Sequence, residues 1–527
     1  PTRTISNAGG NYNAVGTWVE GVAPTSADDV VSTATSGQLT MNVTGAAKTL
    51  DLSTYTNTLT MTNTLTVSGD ITLGSGMTIT GTANLRANTV SSILKSNGAL
   101  LSSGLDLVTG GVRYTFADDW NIVGTFSTLG ASTILSGGTL YVSGSVVNSS
   151  IISSSSTACV MVGTGTVGST QALHIPLTIN TSGTVTTNSI FSLGNKTYTY
   201  SAGTFITTAT TITCGSAVTP TINMPNQVFS AMTFSVGNAV VTLVEPLVIS
   251  STANLGTSSQ NTTINGNDLI VNGNLSISNA ATVQGTSTIR LQGTGTFGTT
   301  TTSYLTNNLV IDTPGTITFL PFVYYRGGTF TYSGGTVITS ANTLTCNAAT
   351  TWAASGMNFN NITFTSGPQT LNQDLNIVGT WNTSNPNVYN GFNIYCYGSM
   401  TINQATSGTA NIFYKGTGTW AGAGLIGNLL TIDSVTGGTL TCSGSIAASN
   451  IIYSSGTVNT TSSTLSCSNS NASWNTNGIV WTNLTIGAGT ISLNSLLTAS
   501  GTTTIAAANN AGFAGTAGFS IGTFVCT

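Results

Sequence analysis

The sequence predicts an all-β chain, a parallel β-solenoid (β-helix) with degenerate repeats of about 125 residues. Three observations predict it: long-range self-similarity, a seven-residue step inside each repeat, and a composition almost free of charge.

Tyr200-Ser201-Ala202-Gly203-Thr204 recurs as Tyr332-Ser333-Gly334-Gly335-Thr336 and as Tyr453-Ser454-Ser455-Gly456-Thr457. Each copy is followed, at one fixed spacing from its Tyr, by a cysteine: Cys214, Cys346 and Cys467. Upstream, Gly163-Thr164-Gly165-Thr166 returns as Gly293-Thr294-Gly295-Thr296 and Gly416-Thr417-Gly418-Thr419; downstream, Phe229, Phe359 and Trp481 share one aromatic position. The offsets agree across all landmarks to within a position or two, which defines three homologous units.

Within a unit, Thr329-Phe330-Thr331-Tyr332, Thr336-Val337-Ile338-Thr339 and Thr343-Leu344-Thr345-Cys346 begin seven residues apart. A coiled coil has that step too, but these segments are β-branched and broken by Gly, which suits helix interiors poorly. Alternation, as in Leu65-Thr66-Val67, has the period of two that belongs to strands. Strands of about four residues with three-residue corners give three faces and a coil of roughly 21 residues, Val, Ile, Leu, Phe or Cys inside and Thr, Ser or Asn outside. Tandem β-sandwich domains of about 125 residues are the alternative, but their strands come every 8–12 residues with hairpin turns between them.

The predicted organisation is an N-terminal module or cap at 1–58, a first irregular solenoid stretch at 59–158, and repeat units at 159–288, 289–411 and 412–517, with 518–527 starting a further repeat or an assembly strand. The last segment is read from Gly518-Phe519-Ser520-Ile521, which echoes Gly391-Phe392-Asn393-Ile394.

Only 4% of residues are charged, and 13 of the 22 lie within the first 120 positions. A net charge of −4 offers no basic face to nucleic acid. No stretch approaches the roughly 18 apolar residues of a membrane-spanning helix. At 39% hydrophobic, regularly interleaved with hydroxyl and amide residues, the chain can bury a core, so disorder is a poor reading.

Gly16-Thr17-Trp18, followed by Pro24-Thr25-Ser26-Ala27-Asp28-Asp29-Val30-Val31 and then Thr-rich strands, resembles the opening of repetitive Thr/Ser/Gly-rich β-solenoid proteins of phage tail fibres and bacterial surface adhesins. The resemblance covers about the first 75 residues, and in style the whole chain. It implies an extracellular, cell-surface or virion location and a fibrous or adhesive role, and transfers no catalytic residue. The expected function is therefore a non-enzymatic structural or adhesive fibre or filament subunit, with a carbohydrate-active β-helix enzyme as the more remote alternative. Its expected partners are other copies of itself, and a cell-surface glycan or receptor in the alternative of a glycan- or receptor-binding tail fibre.

Chemistry is sparse. His174 is the single histidine, so no triad or imidazole metal cluster can be assembled. The strings Gly163–Gly168 and Gly293–Gly298 mimic a dinucleotide fingerprint, but strand residues follow where a helix is needed. Cysteine exchanges with hydrophobes between repeats, which reads as core filler. The sequence therefore predicts no catalytic residue and no cofactor. Asp28/Asp29 and Asp118/Asp119 are the carboxylate pairs to weigh, as turn caps or as a Ca²⁺ site. Asp312 and Asp433 hold equivalent repeat positions, too many rungs apart to share a glycosidic bond. The aromatics Tyr324, Tyr325, Trp381, Tyr389 and Trp420, with Tyr395 and Tyr397, are the candidates for glycan contact, against core packing and corner stacking, which suit most of them better.

Overall fold

In the computed structural model, the described residues are 1–527 except 89–90, 109–110, 112, 130–132, 150–151, 170, 189, 216, 235–237, 257–260, 279, 301, 341, 435–436, 469–470 and 507–510. Short parallel strands stack into a β-solenoid of about 23 turns, and the chain divides into two compact units, Pro1–Leu269 and Ile270–Thr527.

In the first unit, Leu39, Leu59, Ile79, Leu101, Ile122, Val142, Met161 and Ile179 lie one above another in parallel register, one coil apart at each step. All are buried. One residue further along the strand the column is outward, beginning Thr40, Thr60, Thr80. In the second unit the same logic stacks Leu344, Ile362, Trp381, Met400, Trp420 and Cys442 inward, beside outward Thr345, Thr363, Asn382 and Thr401. Alternation of period two thus sorts apolar from hydroxyl side chains, as a strand with one buried face requires.

The Tyr-Ser-X-Gly-Thr signature is a corner device. The phenol of Tyr200 donates to the Gly203 carbonyl at 2.6 Å, and Tyr332 and Tyr453 donate to Gly335 and Gly456 at 2.7 Å each. The three glycines have φ of 101°, 105° and 105°, and a Cβ on Gly335 would sit 2.3 Å from the Thr313 carbonyl oxygen. Only glycine meets both demands.

A second device recurs at other corners. A side-chain oxygen of one coil accepts the backbone N–H of the next: Asn84 from Gly104, Asp119 from Thr139, Asn195 from Thr219, Asn274 from Thr296, Asn361 from Thr380, Asp374 from Asn393 and Asn483 from Thr502, at 2.7–3.1 Å. Corner amides left without a ladder partner are satisfied this way, and the coils are held in register.

The expected four-residue strands and three-residue corners need one correction. Leu177–Thr187 and Leu309–Phe319 are single strands of 11 residues, and Thr439–Ser455 one of 17. Their backbone stays extended through a corner, with only a shift of register against the neighbouring coil.

Candidate functional site

Most of the aromatics named as candidates for glycan contact face the core. Tyr325, Trp381, Tyr389 and Trp420 are 0% exposed, which corrects that assignment. Tyr325 follows Leu305 in an inward column and precedes Cys346; Tyr389 packs edge-on against Phe364 and Trp381. Their rings fill coil interiors, where large apolar area is removed from water. All seven tryptophans are buried. Tyr324 alone of the five is partly exposed: its ring meets Tyr304 edge-on at 5.9 Å, and the Arg326 guanidinium lies 5.4 Å from the Tyr304 ring centre.

The acidic pairs are engaged by donors. Asp28 is buried, accepts from the Thr25 N–H and hydroxyl at 2.8 and 2.7 Å, and faces Arg3 at 3.4 Å. The Thr25 bonds hold its carboxyl down at a pKa of about 2. Asp29 accepts from the Thr49 hydroxyl, which with Lys48 lowers its pKa. Asp118 takes the N–H groups of Ser96 and Asn97, and Asp119 that of Thr139. These four carboxylates act as turn and rung clamps. Among the described residues no three carboxylate, thiol or imidazole groups converge, and no helix is long and apolar enough to cross a membrane.

Six cysteines are buried and Cys526 is exposed. Burial pushes the thiols of Cys159, Cys214, Cys396 and Cys442 up to about 12, so none is a thiolate nucleophile near neutral pH. Burial, and then the nearby Lys196 charge, lowers the pKa of His174, whose Nδ1 accepts the Asn195 N–H at 3.2 Å.

What the outer surface does carry is a mixed strip in the second unit. Tyr395, on the strand Ile394–Cys396, and Phe413, on Ile412–Tyr414, are paired outward residues of successive coils. Their rings stack with centroids 5.1 Å apart and planes at 21°. The Lys415 ammonium lies 5.9 and 5.7 Å from the two ring centres, on the flank of the stack, and pairs with Asp433 at 2.7 Å. Asp433 also accepts from Ser455 at 2.8 Å. The Lys415 bond, then the Ser455 bond, lowers the Asp433 pKa, and Asp433 raises that of Lys415. At the other edge, the Asn393 amide donates to the Tyr395 hydroxyl and the Asn411 amide to Asn393, at 3.4 and 3.3 Å. Tyr397 and Phe392 stand out to solvent beside it. Sequence reasoning noted Tyr395 and Tyr397 but missed Phe413, Lys415 and Asp433 as one constellation, because only the length of the coil between Tyr395 and Phe413 places them side by side.

In the first unit, a shallow groove of about 270 Å³ is lined by Asp70, Ser91, Ser92, Ile93, Arg113 and Thr115. Asp70 already accepts the Ile93 N–H there at 2.8 Å. Against this geometry, no family model, no curated protein and no solved structure matches the chain.

Proposed function

We propose that the chain is a non-enzymatic structural and adhesive fibre protein, a self-associating subunit of an extracellular filament, cell-surface or virion appendage. The observation that carries the reading is where the polar groups go. Asn, Asp, Ser and Thr side chains bond from coil to coil, and the clamped carboxylates have donors in place of a substrate. Such a frame is stabilised by backbone ladders and resists bending, while its outward hydroxyls and amides stay soluble with few ions.

Electron microscopy of the purified protein, at a resolution that separates strands, tests this. Coils stacked continuously from one copy to the next support the filament reading. Isolated particles at every concentration, or turnover of a polysaccharide by the protein alone, contradict it.

A further inference from the structure

We propose that the strip formed by Tyr395, Tyr397, Phe413, Lys415 and Asp433 binds a neutral, hydroxyl-rich glycan chain. The inference rests on the adhesive part of the proposed function, and names its ligand class.

The frame does not require these residues. At the place of Phe413 the preceding repeat has Arg290, which pairs with Asp312 at 4.0 Å, and the first repeat has Val160, paired in the ordinary way with Tyr141 and Thr178. Asp433 is matched by Asp312 and, one repeat earlier, by Asn180. All three arrangements support the same parallel coil, so the aromatic pair is an addition to it. The ring stack is half-buried, so part of its apolar area stays in water, which stiffness alone does not call for.

The chemistry of the addition is that of sugar recognition. The stack ends on smaller neighbours in the same column, Asn376 on one side and Thr431 on the other, so each outer ring face meets a side chain smaller than the ring. A pyranose offers a face of weakly positive C–H groups, which fits the negative face of a ring. Its hydroxyls both donate and accept. The strip supplies both functions on its two edges: the Asn393–Asn411 amide chain on one, and the Lys415–Asp433–Ser455 group on the other. Because Lys415 is neutralised by Asp433 at 2.7 Å, the strip lacks a free cation to select an acidic polymer. The charge-neutral pair instead offers an ammonium donor and a carboxylate acceptor to neighbouring hydroxyls. Coils repeat at about 4.8 Å, so a sugar laid on an outer face of the stack, over Asn376 or Thr431, reaches amide and ion-pair groups of neighbouring rungs with its hydroxyls.

The test is affinity electrophoresis of the full chain through gels holding soluble neutral glycans (a β-glucan, a mannan, a galactan) or the acidic polysaccharide alginate. The comparison variants are Tyr395→Ala, Phe413→Arg and Thr363→Ala. Phe413→Arg installs the residue that the preceding repeat tolerates at this place, and Thr363 is outward on a different face, so neither change disturbs the frame. The expected result is retardation by at least one neutral glycan, insensitive to added salt. It should weaken about three- to tenfold in Tyr395→Ala and Phe413→Arg and stay unchanged in Thr363→Ala. Absence of retardation by all the neutral glycans overturns the inference, as does equal retardation of all variants. Retardation by alginate alone, abolished by salt, overturns it in favour of a charge site. In each of those cases the filament reading still stands, since it is decided by coil stacking under the microscope.

Discussion

Leu177–Thr187 in the first unit and Leu309–Phe319 in the second have the same inside–outside pattern at every residue, although several of their side chains differ. The segments that follow them, Thr197–Ile206 and Thr329–Ile338, turn the same Tyr–Gly corner. Their contents differ. Tyr198 is followed in its inward column by Ile222, whereas Phe330 is followed by Trp352, which stacks on it at 5.3 Å and meets Phe359 and Phe364 edge-on. On the outside, Ser192 of the first is replaced by Tyr324 in the second, beside Tyr304 and Arg326. Corners and register are thus the constant part of each coil, the interior tolerates exchange of volume, and the exterior is free to carry chemistry.

The comparison can be broken first at the interior. Trp352→Ala empties the larger core and strips the buried Gln369 of its 2.9 Å partner, so it should cost about 3–5 kcal/mol. Ile222→Ala in the matching coil should fall at the low end of about 2–5 kcal/mol; urea unfolding of both variants measures the difference. Equal costs would mean that the aromatic cluster adds nothing to the frame.

The corner is the next place to press. Gly335→Ala forces a Cβ into φ of 105° against the Thr313 carbonyl, with an expected loss of about 1–3 kcal/mol from backbone strain alone. Gly334→Ala, one residue earlier and facing open space, should be nearly neutral by the same melt. Tyr332→Phe removes only the 2.7 Å bond to Gly335 and should cost about 0.5–1.5 kcal/mol.

The smallest effect belongs to the outer ion pair. The Asp433 pKa lies below its ordinary 3.8 because Lys415 and Ser455 bond the ionised form. The stabilisation is therefore present above the unfolded-state pKa and is lost as pH falls through the folded one. Half-exposed on both sides, the pair is worth no more than about 1 kcal/mol. Thermal melts between neutral and strongly acid pH should show a slightly steeper acid loss for the native chain than for Asp433→Asn.

Much of the frame was legible in the sequence because a solenoid repeats its demands. The Thr-X-Thr alternation, the seven-residue step and the Tyr-Ser-X-Gly-Thr corner each recur where the same backbone problem recurs. The direction of single aromatics was harder to read. Tyr324 and Tyr325 are adjacent, and only register decides that Tyr325 points inward. A signal did exist: Tyr325 takes the place of Leu193 and Ile446, both buried, and a position that accepts Leu, Tyr and Ile is an interior one. Trp381 had no such guide. The Tyr395–Phe413–Lys415–Asp433 strip was illegible for a different reason, since its members sit on successive coils whose lengths vary from one to the next.

The central claim is that coil-to-coil clamps hold the frame and outward side chains are free of it. Peptide-resolved hydrogen exchange of Asn361→Ala and Phe413→Arg, each against the native chain, tests it most directly. Asn361→Ala removes the acceptor of the Thr380 N–H, so exchange should accelerate across Asn361–Phe364 and Thr380–Thr383 by the equivalent of about 1–3 kcal/mol. Phe413→Arg should leave Ile394–Cys396 and Ile412–Tyr414 as protected as before. Unchanged protection in the first variant, or opening of the coils in the second, would contradict the account.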